Sequence, residues 1–103
     1  MNIGKLYQFK KLCWMLFPSK DIADALLFAA ARTGGAQVAA ADATTAAYYS
    51  NKYNCNVSYI EPNSIFVFLE QDGYCCKILT TNGELGWIYL ADWLIEDIEE
   101  VTV

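Results

Sequence analysis

The chain has 103 residues, a net charge of −5, 55% hydrophobic residues and no histidine. This length supports a single domain with one core, and the aromatic and β-branched content excludes a disordered chain. Without histidine there is no Ser-His or Cys-His nucleophile pair, and zinc loses one of its two preferred ligand types.

In chain order, Lys5-Leu6-Tyr7-Gln8-Phe9 reads as a strand over about residues 5–9. Leu12 to Phe17 is a continuous apolar run, which either continues the strand or makes a helical turn. Pro18 and Ser19 punctuate it, with Ser19 placed to cap a helix and Asp21 in the first turn to suit the helix dipole. Ile22, Ala25, Leu26, Ala29 and Ala30 recur at helical spacing, and Gly34-Gly35 ends that pattern. A second helix is predicted from about Ala36 to Lys52, with Tyr49 and Tyr53 one turn apart. Twelve of the residues from Ala23 to Ala47 are alanine, which favours a closely packed helical hairpin over a loose insertion.

From Val57 the pattern changes to strands. Val57–Ile60 is one, and Glu61-Pro62-Asn63 is a turn. Ser64–Glu70 is a second strand, and Gln71-Asp72-Gly73 turns the chain. Tyr74–Thr80 follows, then a hairpin signal at Asn82-Gly83 and a strand over Glu84–Tyr89. A helical turn at Leu90–Trp93 and a short strand at Leu94–Ile98 end the pattern. Lys77 is expected to face water, which turns Tyr74, Cys76 and Ile78 inward.

Charge divides unevenly. Residues 1–60 hold six cations and three anions, whereas residues 61–103 hold Lys77 and nine anions. The acidic half repels phosphate at long range, so a nucleic-acid surface would depend on Lys5, Lys10 and Lys11. Those lysines read more simply as a solvated strand end. Glu96, Asp97, Glu99 and Glu100 read as a solvated acidic tail rather than as paired catalytic carboxylates. Cys13, Cys55, Cys75 and Cys76 form no CxxC pair, and the adjacent two point to opposite faces of a strand. All four are read as reduced thiols, with no metal and no cofactor. Neither Leu12–Phe17 nor the interrupted alanine-rich stretch is long and apolar enough to span a membrane, so a cytoplasmic protein without a membrane partner is expected.

Residues 61–98 resemble an SH3 or bacterial SH3-like domain. Asp72-Gly73 leads into a strand, a short hairpin follows, and Gly86-Trp87-Ile88 precedes a helical turn and a last strand. Lys5–Phe9 is similar to the aromatic first strand of that family. The resemblance implies a mainly β fold with an α insertion, a small SH3-like barrel carrying an alanine-rich helical hairpin at about residues 20–53. It also implies an aromatic peptide groove at Tyr7, Phe9, Tyr74 and Trp93, although Tyr89 replaces a proline and Cys75 a tryptophan of the family pattern. Tyr7–Lys11 and Gly86–Leu94 further resemble segments of small proteins of marine bacteriophages, which implies no activity.

The reading preferred is a non-catalytic protein–protein interaction or assembly module that self-associates as a homo-oligomer; an Sm-like nucleic-acid-binding barrel is the alternative. The preference rests on strand 64–70, where Ile65, Val67 and Leu69 share one face and Phe66 and Phe68 the other. Both faces are apolar, so something must cover the second. The candidate interface is therefore Phe66 and Phe68, with Trp87 and Tyr89 on one face of the following strand, together with the groove residues.

Overall fold

The computed structural model describes residues 1–25, 43–90 and 92–102. Its elements in order are β1 (Leu6–Phe9), β2 (Trp14–Leu16), α1 (20–25), α2 (Ala43–Tyr53), β3 (Ser58–Ile60), β4 (Ile65–Asp72), β5 (Cys75–Thr80), β6 (Leu85–Tyr89), a 3-10 helix (Asp92–Asp97) and β7 (Ile98–Glu100). The protein is mainly β with helices between β2 and β3. Gly34-Gly35 and the start of the second predicted helix lie outside the described residues.

One sheet has five antiparallel strands in the order β6-β5-β4-β1-β7, and β2 and β3 form a two-stranded sheet. The sheets meet where Phe17 and Trp87 exchange backbone hydrogen bonds of 2.8 Å. That contact covers the outer edge of β6. At the opposite edge, β7 is three residues long and carries Glu99 and Glu100, features that discourage edge-to-edge pairing.

The turns follow their residues. Pro62 and Asn63 occupy the centre of a turn closed by Ser64 N–H donating to Glu61 O at 3.3 Å, and Asn63 supplies the positive φ of 70° that a type II turn needs. The Asn-Gly signal does make a hairpin. Gly83 alone takes a positive φ, 85°, and its N–H donates to Thr80 O, the three-residue form of hairpin loop. Ser19 caps α1 as predicted, its Oγ accepting the Ile22 N–H at 3.3 Å. Asn54, at φ 49°, ends α2, and Cys55 N–H donates back to Ser50 O at 3.1 Å, a Schellman closure.

Two hydrophobic cores lie on opposite sides of a shared wall. The inner core is aromatic: Trp14 stacks on Phe9 at 5.0 Å, Phe9 on Phe66 at 4.5 Å and Phe66 on Tyr7 at 5.9 Å. Phe68, Cys76, Ile78 and Ile88 complete it. The outer core joins Met15, Phe17, Val57 and Cys75 to Ala23 of α1 and Ala46 of α2, with Trp87, Tyr89, Tyr49 and Tyr53 packed around them. β2 is the centre of the wall. Trp14 and Leu16 face the inner core, and Met15 and Phe17 the outer one. This explains the unbroken apolar run 12–17: a strand buried on both faces shows no alternation.

Several expectations are corrected. The end of the chain is shifted by about four residues: the 3-10 helix occupies most of the predicted last strand, and the strand follows it at Ile98–Glu100. Tyr74 sits in the two-residue turn between β4 and β5 and is exposed rather than inward. Asp97 is buried, not part of a solvated tail. Its carboxylate accepts N–H groups from Lys11 at 2.8 Å, Leu12 at 3.2 Å and Trp14 Nε1 at 2.8 Å. It thereby pins the 10–14 segment against the C-terminal turn and orients the innermost tryptophan.

Candidate interaction surface

The predicted groups separate into two sets. Tyr7, Phe9, Phe66 and Phe68 are in the inner core, so they offer no surface. The reading of strand 64–70 inverts: its phenylalanines point inward, and Ile65, Val67 and Leu69 are the partly exposed residues. Rings of this size fill the interior that stacking strands enclose, whereas smaller aliphatic side chains suffice outside. Trp87 and Tyr89 do share one face and are half-buried against the outer core. Tyr74 is exposed and its ring lies 5.8 Å from that of Tyr89. Trp93 lies on the 3-10 helix, and its side chain is outside the described residues.

The outer face of the five-stranded sheet is built row by row. Cys75 pairs with Tyr89, Lys77 with Trp87, and Leu79 with Leu85. Alternation places all six on one face. Among the described residues, the helices pack at one end of it, over Cys75 and Tyr89. At the other end Leu79 continues in register to Val67, and Val67 to Leu6. Leu6, Val67, Leu79 and Leu85 thus form an aliphatic row across four strands. Leu85 is 55% exposed and Leu79 36%. Beside the row, Glu70 and Lys77 are cross-strand partners of opposite charge.

Sequence reasoning missed Leu6, Leu79 and Leu85. The available signal was parity, since Leu79 shares the face of Lys77. That signal was read only for which residues turn inward.

Gly86 sets how the two sheets meet. A Cβ at this position would lie 2.7 Å from Leu16 Cγ and 2.7 Å from Phe17 O. The Gly86-Trp87-Ile88 motif therefore has three separate duties. Gly86 admits β2, Trp87 exchanges backbone bonds with Phe17 and packs on the outer core, and Ile88 enters the inner core.

A polar cluster ties α1 to the sheet. Lys20 Nζ stands 3.0 Å from Asp24 Oδ2 and 3.4 Å from Asp72 Oδ2. Cys75 Sγ donates to Asp24 Oδ1 at 3.1 Å. The Lys20 ammonium, and then the Cys75 thiol, hold the Asp24 carboxyl below its ordinary value of 3.8. Burial, reinforced by Asp24, pushes the Cys75 thiol up to about 12, and burial pushes Cys76 up to about 11. Both are protonated at neutral pH, the opposite of an activated thiolate. All four cysteines are free.

Among the described residues no group of three or more His, Cys, Asp or Glu could hold a metal ion, and no helix is long and apolar enough to cross a membrane. Comparison with protein-family models, with curated proteins and with solved structures finds no match.

Proposed function

We propose that the protein is a non-catalytic assembly module that associates with a second copy of itself, and that its architecture is a small SH3-like barrel. The architectural part is supported by the strand order β6-β5-β4-β1-β7, with a 3-10 helix between β6 and β7. In that reading β2, the helices and β3 occupy the long loop after the first strand. The functional part rests on one observation, the aliphatic row Leu6–Val67–Leu79–Leu85, in which Leu79 and Leu85 are exposed. A face of this kind suits a twofold contact, in which each copy presents the same patch to the other. The Glu70–Lys77 pair beside the row brings both signs, so two such faces meet without net repulsion from these groups.

The non-catalytic part is supported by the state of the buried thiols. The nucleic-acid alternative would draw on Lys5, Lys10 and Lys11. Lys5 is 3.5 Å from Glu100, which offsets its charge.

Light scattering on the size-separated protein tests the reading. Leu79→Lys with Leu85→Lys should leave the fold unchanged and convert a dimer to a monomer. A wild-type monomer at about 100 μM, an association weaker than roughly −5.5 kcal/mol, overturns it. Binding of single-stranded nucleic acid with a dissociation constant below about 1 μM and a steep salt dependence favours the alternative.

A further inference from the structure

We infer that the outer edge of β3 receives an extended segment of a partner protein, which pairs with the backbone of Tyr59 and sets a lysine or arginine beside Glu61 and Glu84. This goes beyond self-association through the aliphatic row and does not rest on it.

The backbone of β2 fixes which way β3 faces. Phe17 N–H donates to Trp87 O and Phe17 O accepts the Trp87 N–H, both at 2.8 Å, so the polar groups of Phe17 point to β6. Direction alternates along a strand, so those of Trp14 and Leu16 turn the other way, to their register partners Ile60 and Ser58. Tyr59 lies between these two rungs, and its N–H and C=O therefore point away from β2. Among the described residues neither group has a hydrogen-bond partner. The same parity recurs one step back along this edge. Both backbone groups of Val57 meet Ser50 Oγ of α2, at 2.9 Å from N and 3.0 Å from O, so one serine hydroxyl stands where a neighbouring strand would. One step forward, Glu61 O accepts Ser64 N–H in the turn. The edge is closed at Val57 and at Glu61 O, and open at Tyr59.

A short edge can also serve to discourage pairing. This one differs in having room on both sides. A cavity of about 510 Å³ lies toward α2, lined by Ala46, Ala47, Asn51 and Asn56. Another of about 300 Å³ lies toward the hairpin of β5 and β6, lined by Thr80, Thr81 and Asn82. Tyr59 lines both, so they meet at the open edge.

The two cavities differ in charge. The one toward α2 has no charged side chain in its lining. In the other, Ile60 and Thr80 are buried, Glu61 and Glu84 are exposed, and no lysine or arginine lines it. Tyr59 Oη donates to Glu61 Oε1 at 3.2 Å and so holds that carboxylate next to the edge. Two carboxylates without a cation favour a positively charged occupant, and an unpaired N–H and C=O favour a peptide backbone. An extended basic segment satisfies both demands; a free cation satisfies only the first.

The experiment is titration of the isotope-labelled full chain with blocked peptides Thr-Val-X-Val-Thr, X being Arg, Lys, Ala or Glu, followed through backbone amide shifts. The Tyr59 amide should move most, with those of Glu61 and Glu84. The Arg and Lys peptides should bind about fivefold more tightly than the Ala peptide, the scale of an exposed ion pair, and the Glu peptide more weakly than all of them. No Tyr59 shift with any peptide at about 5 mM overturns the inference. Equal affinity for the Arg and Glu peptides, or shifts confined to Leu79 and Leu85, also overturn it.

Tyr59→Pro tests the backbone pairing. It removes an N–H that the ladder with β2 does not use, so the β2–β3 pair is expected to stay. The variant should lose the Arg peptide, whereas Tyr59→Ala, which keeps the N–H, should retain it. N-methylation of the Arg peptide, one residue at a time, asks the same of the unaltered protein. Methylation should abolish binding at alternate positions only, because a paired strand turns every second N–H toward its neighbour. Equal binding by the two variants, or indifference to methylation at every position, overturns the pairing.

Discussion

The two cores lie on either side of β2, β5 and β6, which give residues to both, yet they are built from different material. On the inner side, rings from β1, β2 and β4 stack in series and Asp97 holds the innermost tryptophan by its indole N–H. On the outer side, residues of the wall meet buried Ala23 and Ala46, partly buried Ile22, Tyr49 and Tyr53, and a solvent-exposed polar cluster. What differs is what fills them: stacked rings and one buried carboxylate on the inner side, small and partly buried side chains on the outer, and the area buried decides how much stability each residue supplies.

The largest test of this contrast is Phe9→Ala, which removes the middle of the ring stack. A loss of about 4 kcal/mol is expected in denaturant unfolding, with Cys75 and Cys76 both losing protection because the wall itself fails. Asp97→Ala comes next. It leaves the N–H groups of Lys11, Leu12 and Trp14 without their acceptor, and a loss of about 3 kcal/mol is expected by the same measurement. Asp97→Asn should restore little, since an amide brings donors to a site already full of them.

Gly86→Ala should cost about 2 kcal/mol, because the new methyl meets the backbone of Phe17, which cannot move without breaking its pair with Trp87. A neutral Gly86→Ala would show that β2 sits less firmly against β6 than the geometry implies.

The smallest effect belongs to the polar cluster of Lys20, Asp24, Asp72 and Cys75. Asp24 has a lowered carboxyl pKa in the folded protein, so its contribution is present above 3.8 and is lost as pH falls through the folded value. The groups that face it are Lys20 and Cys75, with Asp72 across the lysine. The ratio of Cys75 to Cys76 labelling, measured with an acid-tolerant pyridyl disulfide, should rise below that pH and stay flat in Asp24→Asn.

Much of the β-rich half was legible from residues 57–89, because each turn carries its own chemistry. Asn63 and Gly83 stand where a positive φ is required, and Ser19 where a helix lacks an acceptor. The facing of strand 64–70 was half legible. Alternation separates Phe66 and Phe68 from Ile65, Val67 and Leu69, but nothing local says which set points inward when both are apolar. The run 12–17 hid its strand for a related reason, since burial on both faces erases the period. Asp97 was misread because its partners lie more than eighty residues away in sequence. A carboxylate bound for backbone N–H groups looks, in a string of acids, like its solvated neighbours.

One irregularity in β4 governs how the chain tolerates a change of length. Phe68 pairs with Ile78 and Glu70 with Lys77, so Leu69 has no partner across the ladder. Deleting Phe66 or Val67 slides the neighbouring part of the strand by one step and exchanges the residues that face the core with those that face water. Deleting Leu69 leaves Phe68 opposite Ile78, Glu70 opposite Lys77 and Asp72 opposite Cys75, and removes only the extra bend. Within this strand, then, the bulge is where one residue can be lost from the reading frame of the fold without scrambling it, and a scan of one-residue deletions should find Leu69 the best tolerated.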